Sequence, residues 1–182
     1  MDKTIYLLPG RGGRLNEGLG AELLGRGYQV VGRELHGEFQ RLPFATQVDA
    51  VANDLQSRFW HEDARVIANS FGAYLFLQAQ AQMHSFPGKV LLLSPIVGEA
   101  AFEEKMMFFV PPRAKFLKEL IFSGRYPTPA NCEIHVGEMD WQSNPPNVEA
   151  IGATLSIPVV VVPGAGHRLE RDYVSTVLAS WL

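Results

Sequence analysis

The sequence predicts a three-layer α/β sandwich around a mostly parallel six-stranded sheet. Short apolar runs alternate along the chain with segments of helical apolar spacing. Two of the runs, Lys89-Val90-Leu91-Leu92-Leu93 and Val159-Val160-Val161-Val162, are almost continuously apolar, as strands covered on both faces must be. Strand-helix alternation also favours parallel strands joined by right-handed crossovers.

Each element has a local reason. Residues 4–8 are an apolar run closed by Pro9-Gly10, read as the first strand, with Gly10-Arg11-Gly12-Gly13 as a tight loop behind it. Leu15, Leu19, Leu23 and Leu24 recur at helical spacing before Gly27. Residues 28–32 read as a second strand, and 33–43 as polar and irregular. Val48, Val51, Ala52, Leu55 and Phe59 give 45–60 an apolar helical stripe. Residues 65–68 form a third strand ending at Asn69-Ser70, and 71–83 a helix apolar on most sides. Strands follow at 89–93, 132–136 and 157–162, with helices at 147–153 and from 169 to the end. Residues 97–129 are too long for an ordinary crossover and read as a small helical excursion with a broken middle.

The chain of 182 residues suits one domain. Sixteen Lys and Arg against 19 Asp and Glu leave a net charge of -3, which gives no electrostatic reason to expect a nucleic-acid partner. A single cysteine, Cys132, excludes an internal disulfide and a Cys-rich zinc cluster. The opening residues lack a signal-peptide pattern and no run is long enough to span a membrane, so a cytoplasmic protein is expected. Oligomeric state is left open.

Ser70 stands where the third strand turns into a helix, in Ala68-Asn69-Ser70-Phe71-Gly72. A nucleophile at such a turn needs small neighbours two residues before and two after it, and Ala68 and Gly72 supply them. The helix start adds free N–H groups facing developing negative charge. The alternative role for such a serine is a helix cap.

The segment Val66-Ile67-Ala68-Asn69-Ser70-Phe71-Gly72-Ala73 resembles the nucleophile elbow of the α/β-hydrolase superfamily. Leu7-Leu8-Pro9-Gly10-Arg11-Gly12 resembles its oxyanion loop, Gly137-Glu138-Met139-Asp140 its acid loop, and Gly164-Ala165-Gly166-His167 its histidine loop. The likeness covers nearly the whole chain and is nearest to the small dienelactone-hydrolase-like and small serine-hydrolase branches, without the first two strands of larger members. It implies a sheet order 2-1-3-4-5-6 and the catalytic order serine, acid, histidine: Ser70, Asp140, His167. It also implies oxyanion donors from Phe71 and from Arg11 or Gly12, and a lid or cap-like insertion at 97–129.

Glu138 and Glu99 stand as alternative acids. His36, Met107, Phe108 and Trp141 are candidate substrate-lining residues, and the basic residues of the excursion, Lys105, Arg113, Lys115 and Lys118, with Arg11, Arg14 and Arg33, are candidates for drawing in an acidic substrate. The expected reaction is hydrolysis of a small-molecule ester or thioester through an acyl-enzyme, with no cofactor and no metal called for. Two other readings compete. Gly10 to Gly13 with Glu34 after the second strand suggests a Rossmann-like nucleotide site, although Leu15 replaces the third glycine. A binding protein that kept the fold without the chemistry is the other.

Overall fold

The computed structural model describes residues 3–182. Its main sheet contains β1 (Thr4–Leu8), β2 (Gln29–Gly32), β3 (Arg65–Asn69), β4 (Lys89–Leu93), β7 (Asn131–Gly137) and β8 (Val159–Val162). The order is β2-β1-β3-β4-β7-β8 and every pairing is parallel. Counting the sheet strands alone, this is 2-1-3-4-5-6, as expected. The remaining strands, β5 (Ala100–Phe102) and β6 (Met107–Phe109), form a separate antiparallel hairpin.

Strand side chains alternate between two cores, as the pleat requires. Tyr6, Leu8, Val66, Ala68, Val90, Leu92, Ile134 and Val136 face the larger core. There they meet α3 (Phe44–Arg58), α4 (Phe71–Gln80), α5 (Ala114–Phe122) and α6 (Pro145–Leu155). Ile5, Leu7, Ile67, Leu91 and Leu93 face the smaller one, closed by α1 (Leu19–Gly25) and α7 (Arg171–Trp181). Both faces are thus covered, which explains the near-continuous apolar strands. Every residue of α4 is buried, in keeping with a surface apolar on most sides, and its two polar residues Gln78 and Gln80 are hydrogen-bonded.

Two local readings are corrected. Residues 33–43 are not wholly irregular, because a short helix, α2, covers Gly37–Arg41. The excursion at 97–129 is not helical throughout. Its first half is the β5–β6 hairpin, turned by a 3₁₀ segment at Glu103–Lys105 and by Met106 in the left-handed region, and only α5 is an α-helix. Ala100, Ala101 and Phe102 find extended partners in Phe109, Phe108 and Met107, and that pairing overrides the helical spacing read from sequence. Among the described residues, no helix is long and apolar enough to cross a membrane.

The register brings chemistry to one rim. Leu8 lies beside Ala68, Asn69 beside Leu93, Leu93 beside His135, and Gly137 beside Val162. The carboxyl ends of β1, β3, β4, β7 and β8 therefore finish together, where open parallel sheets bind ligands.

Candidate active site

Ser70 occupies a backbone position that few non-glycine residues adopt, with φ 53° and ψ -119°. Such a conformation costs about 1–3 kcal/mol and persists only where its surroundings enforce it. The enforcement is visible. Ser70 N–H donates to the Leu93 carbonyl at 3.0 Å, and the Ser70 carbonyl accepts from Tyr74 and Ile96 at 3.2 Å each. Two residues on, a Cβ at Gly72 would lie 2.2 Å from the Leu8 carbonyl oxygen and 2.3 Å from that of Pro9. Only glycine lets α4 start this close to the end of β1. Ser70 makes no capping hydrogen bond to α4, so the helix-cap account of this serine fails.

The Ser70 hydroxyl lies instead 2.8 Å from His167 Nε2. On the far side of the ring, Nδ1 is 2.9 Å from both carboxylate oxygens of Asp140. A carboxylate only accepts, so Nδ1 carries the proton, Nε2 is the acceptor, and the serine hydroxyl donates to it. Asp140 is fully buried. Its Oδ1 also accepts from the backbone N–H of Gln142 at 3.1 Å and of Ser143 at 3.0 Å. Burial by itself would raise its pKa. The His167 hydrogen bond, the Ser143 hydroxyl and the Ser143 amide outweigh that and hold it below the ordinary carboxylate value.

The loops carrying the acid and the histidine are stitched together. Glu138 N–H donates to the Val162 carbonyl at 2.9 Å and Met139 N–H to that of Ala165 at 2.8 Å. The Glu138 side chain accepts from Gly164 N–H at 2.8 Å. A Cβ at Gly137 would lie 2.3 Å from the Gly166 carbonyl oxygen, so the two loops are in direct contact. Of the three carboxylates considered, Asp140 reaches the imidazole, Glu138 braces the histidine loop, and Glu99 is exposed with no bonded partner among the described residues.

The loop after β1 lies against the serine, since a Cβ at Gly10 would be 3.3 Å from Ser70 Cβ. Phe71 is the first residue of α4, so its N–H has no intrahelical acceptor. Arg11 N–H makes no backbone bond among the described residues, whereas Gly12 N–H is already given to the Leu35 carbonyl at 2.6 Å. Glu34, the residue that suggested a ribose ligand, accepts from Leu15 N–H at 3.1 Å and braces the loop.

A cavity of about 1120 Å³ opens over this rim. Ser70, Phe71 and His167 line it, with Leu19 from α1, Leu169 and Val174 from the α7 side, and Phe109 from the hairpin. His36, Met107, Phe108 and Trp141 are not among its lining residues. His36 starts α2 and lies 3.3 Å from Arg14, Met107 and Phe108 are exposed on the hairpin, and Trp141 stacks on Phe102 at 5.7 Å. Sequence reading missed Ser143 and Gln142. Asp140-Trp141-Gln142-Ser143 is a turn in which an aspartate accepts N–H groups two and three residues on, a recognisable local pattern.

Two other nucleophiles are unsuited to attack. Ser143 Oγ is 3.5 Å from His167 Nδ1, on the acid side of the ring, and the residue is buried. The thiol of Cys132 sits at the opposite end of β7, where burial first and Glu133 second push its pKa up to about 12. Among the described residues, no group of three or more His, Cys, Asp or Glu is placed to hold a metal ion.

No protein-family model matches the sequence, and no curated protein matches it either. Solved structures do match over almost the full chain. A lipase-esterase related protein from Clostridium acetobutylicum superposes with TM-score 0.69 at 14% identity, covering 98% of this chain and 94% of that one. Alpha/beta hydrolase domain-containing protein 10 from mouse gives 0.66 at 12% identity, covering 97% and 87%. The ydeN gene product of B. subtilis gives 0.64 at 14% identity, covering 98% and 97%. The chain has the α/β-hydrolase fold, and the serine–imidazole–carboxylate array at its rim has Ser-His-Asp triad geometry. Fold and array together define a serine hydrolase.

Proposed function

We propose that this enzyme hydrolyses a small ester or thioester through an acyl-enzyme on Ser70. The supporting observation is the unbroken hydrogen-bonded chain from Ser70 Oγ through both nitrogens of His167 to buried Asp140. Ser70 Oγ attacks the substrate carbonyl carbon while His167 Nε2 takes the hydroxyl proton. The oxyanion forms facing the N–H groups of Phe71 and Arg11, neither of which has a competing backbone acceptor among the described residues. The imidazolium returns its proton to the leaving alcohol or thiol. Water then gives up a proton to His167 and attacks the acyl-enzyme, releasing the acid and restoring Ser70. Asp140 holds the imidazole in the productive tautomer and stabilises its positive charge.

The segment 97–129 is assigned as a lid or cap-like part of the same domain, on the support of Phe109 at the cavity wall and the exposed hairpin beside it. Membership of the small dienelactone-hydrolase-like branch is part of the proposal, supported by the single compact excursion on a six-stranded sheet. So is a cytoplasmic setting, which suits a chain whose lone cysteine needs no oxidising compartment.

Labelling with a fluorophosphonate, followed by mass spectrometry of the adduct, tests the assignment. The adduct is expected on Ser70 and absent from Ser70→Ala. A Ser70→Ala protein that cleaves a short-chain aryl ester as fast as the parent would refute it. A fold-only binding protein would give neither adduct nor turnover.

A further inference from the structure

Of the basic residues offered as attractors of an acidic substrate, Lys105, Arg113, Lys115 and Lys118 of the excursion do not line the cavity, and the three arginines Arg11, Arg14 and Arg33 have different fates. Arg33 is bound twice to Asp54, at 2.6 and 2.7 Å. Arg14 lies 3.8 Å from Glu17 and 3.3 Å from His36. Arg11 alone reaches the cavity over Ser70 and has no acidic partner among the described residues.

Its guanidinium is nevertheless held. It lies over the Phe71 ring at 4.1 Å and toward the Phe109 ring at 5.7 Å, between the residue that follows the nucleophile and the hairpin. These contacts engage the guanidinium's charge, and no hydrogen bond from its N–H groups is found among the described residues, so its fork of donors is left for a carboxylate. Most of the other charged lining residues have the same sign. Arg26, Arg168 and Arg171 contribute to the wall, and Glu22 is the one carboxylate among the described lining residues. Glu22 is already engaged by Arg26 at 2.9 Å and neighboured by Arg171 at 3.9 Å. A chain of net charge -3 has therefore placed four arginines in the wall of the cavity that opens over Ser70.

We infer that the substrate carries a carboxylate, held by Arg11 beside the scissile bond. The inference rests on the ester-hydrolase reading above and narrows its substrate class. A bidentate pair with a guanidinium discriminates a charged ester from its neutral isostere, while the bare aromatic rings would favour the neutral one.

The experiment uses matched aryl esters: 4-nitrophenyl hemiadipate against 4-nitrophenyl hexanoate for a charge on the acyl side, and hexanoates of 4-hydroxybenzoate and 4-hydroxybenzamide for a charge on the leaving group. In one pair kcat/KM is expected to favour the anion by about tenfold, a preference that shrinks with added salt. Arg11→Met should bring that ratio to about one, and Arg11→Lys should restore part of it. Calorimetry of adipate binding to Ser70→Ala reads the same contact without turnover, and the added Arg11→Met change should abolish the heat. Equal kcat/KM within both pairs, with ratios indifferent to Arg11→Met, overturns the inference while leaving the hydrolase standing. Adipate binding that depends on Arg11 in a protein that cleaves none of the esters keeps the carboxylate site and removes the hydrolase reading.

Discussion

The elbow at 68–72 and the hairpin at 100–109 flank the same cavity and are built in opposite ways. At the elbow, Ala68, Phe71 and Ala73 are buried, and Gly72 touches the backbone of β1. Ser70 keeps its strained backbone because the contacts around it leave no other arrangement. In the hairpin, Met106 is also at positive φ, 51°, yet it lies at a tip where the residue is 83% exposed. Phe108 and Val110 are exposed as well, and only Phe109 turns inward to the cavity. Positive φ therefore has two meanings in one molecule. At Ser70 it is imposed by tertiary contacts and aims a hydroxyl; at Met106 it closes a surface turn. The candidate nucleophile sits where packing is over-determined, and the cavity's outer wall is drawn from a hairpin whose tip is exposed.

The sharpest way to break this contrast is to remove the aimed hydroxyl. Ser70→Ala should lower ester kcat by about 10⁶-fold with little change in the urea midpoint, because such serines act as one unit with their base. Asp140→Asn should cost about 10⁴-fold in kcat by favouring the wrong imidazole tautomer, while Glu138→Gln changes kcat far less, since Glu138 braces the loop without touching the ring. Gly72→Val tests the packing half of the comparison. Its Cβ would meet backbone that cannot yield, so unfolding free energy should fall by about 3 kcal/mol in urea titrations.

The lowered pKa of Asp140 sets a pH dependence. A carboxyl whose folded pKa is depressed contributes stability that is fully present above its unfolded value of about 3.9 and is lost as pH falls through the folded value. Acid titrations of the urea midpoint should therefore be less steep in Asp140→Asn than in the parent. The smallest effect is expected from Phe108→Ser, where an exposed side chain is replaced. Stability should change by less than about 0.5 kcal/mol, and any kinetic effect should fall on KM rather than kcat. A large loss of stability there would show the hairpin to be as tightly specified as the elbow.

Much of this was legible in the chain itself. Continuous apolar runs at Val90–Leu93 and Val159–Val162 announce strands buried on both faces. Ala68, Ser70 and Gly72 announce a crowded turn because steric demand at an elbow is local and leaves its mark within five residues. Strand order and the serine–acid–histidine sequence followed from resemblance rather than from periodicity. What stayed hidden depends on contacts between distant segments. The choice of Asp140 over Glu138 and Glu99 is made by the geometry of one ring that arrives from 27 residues downstream of Asp140. The hairpin replaced a helical reading because extended partners became available across a turn. Arg11, Arg14 and Arg33 are equivalent in sequence, and only the folded chain determines which of them lines the cavity over Ser70 with no acidic partner among the described residues. Local sterics and burial are encoded by neighbours in sequence, whereas hydrogen-bond partners and charge pairing are decided by neighbours in space.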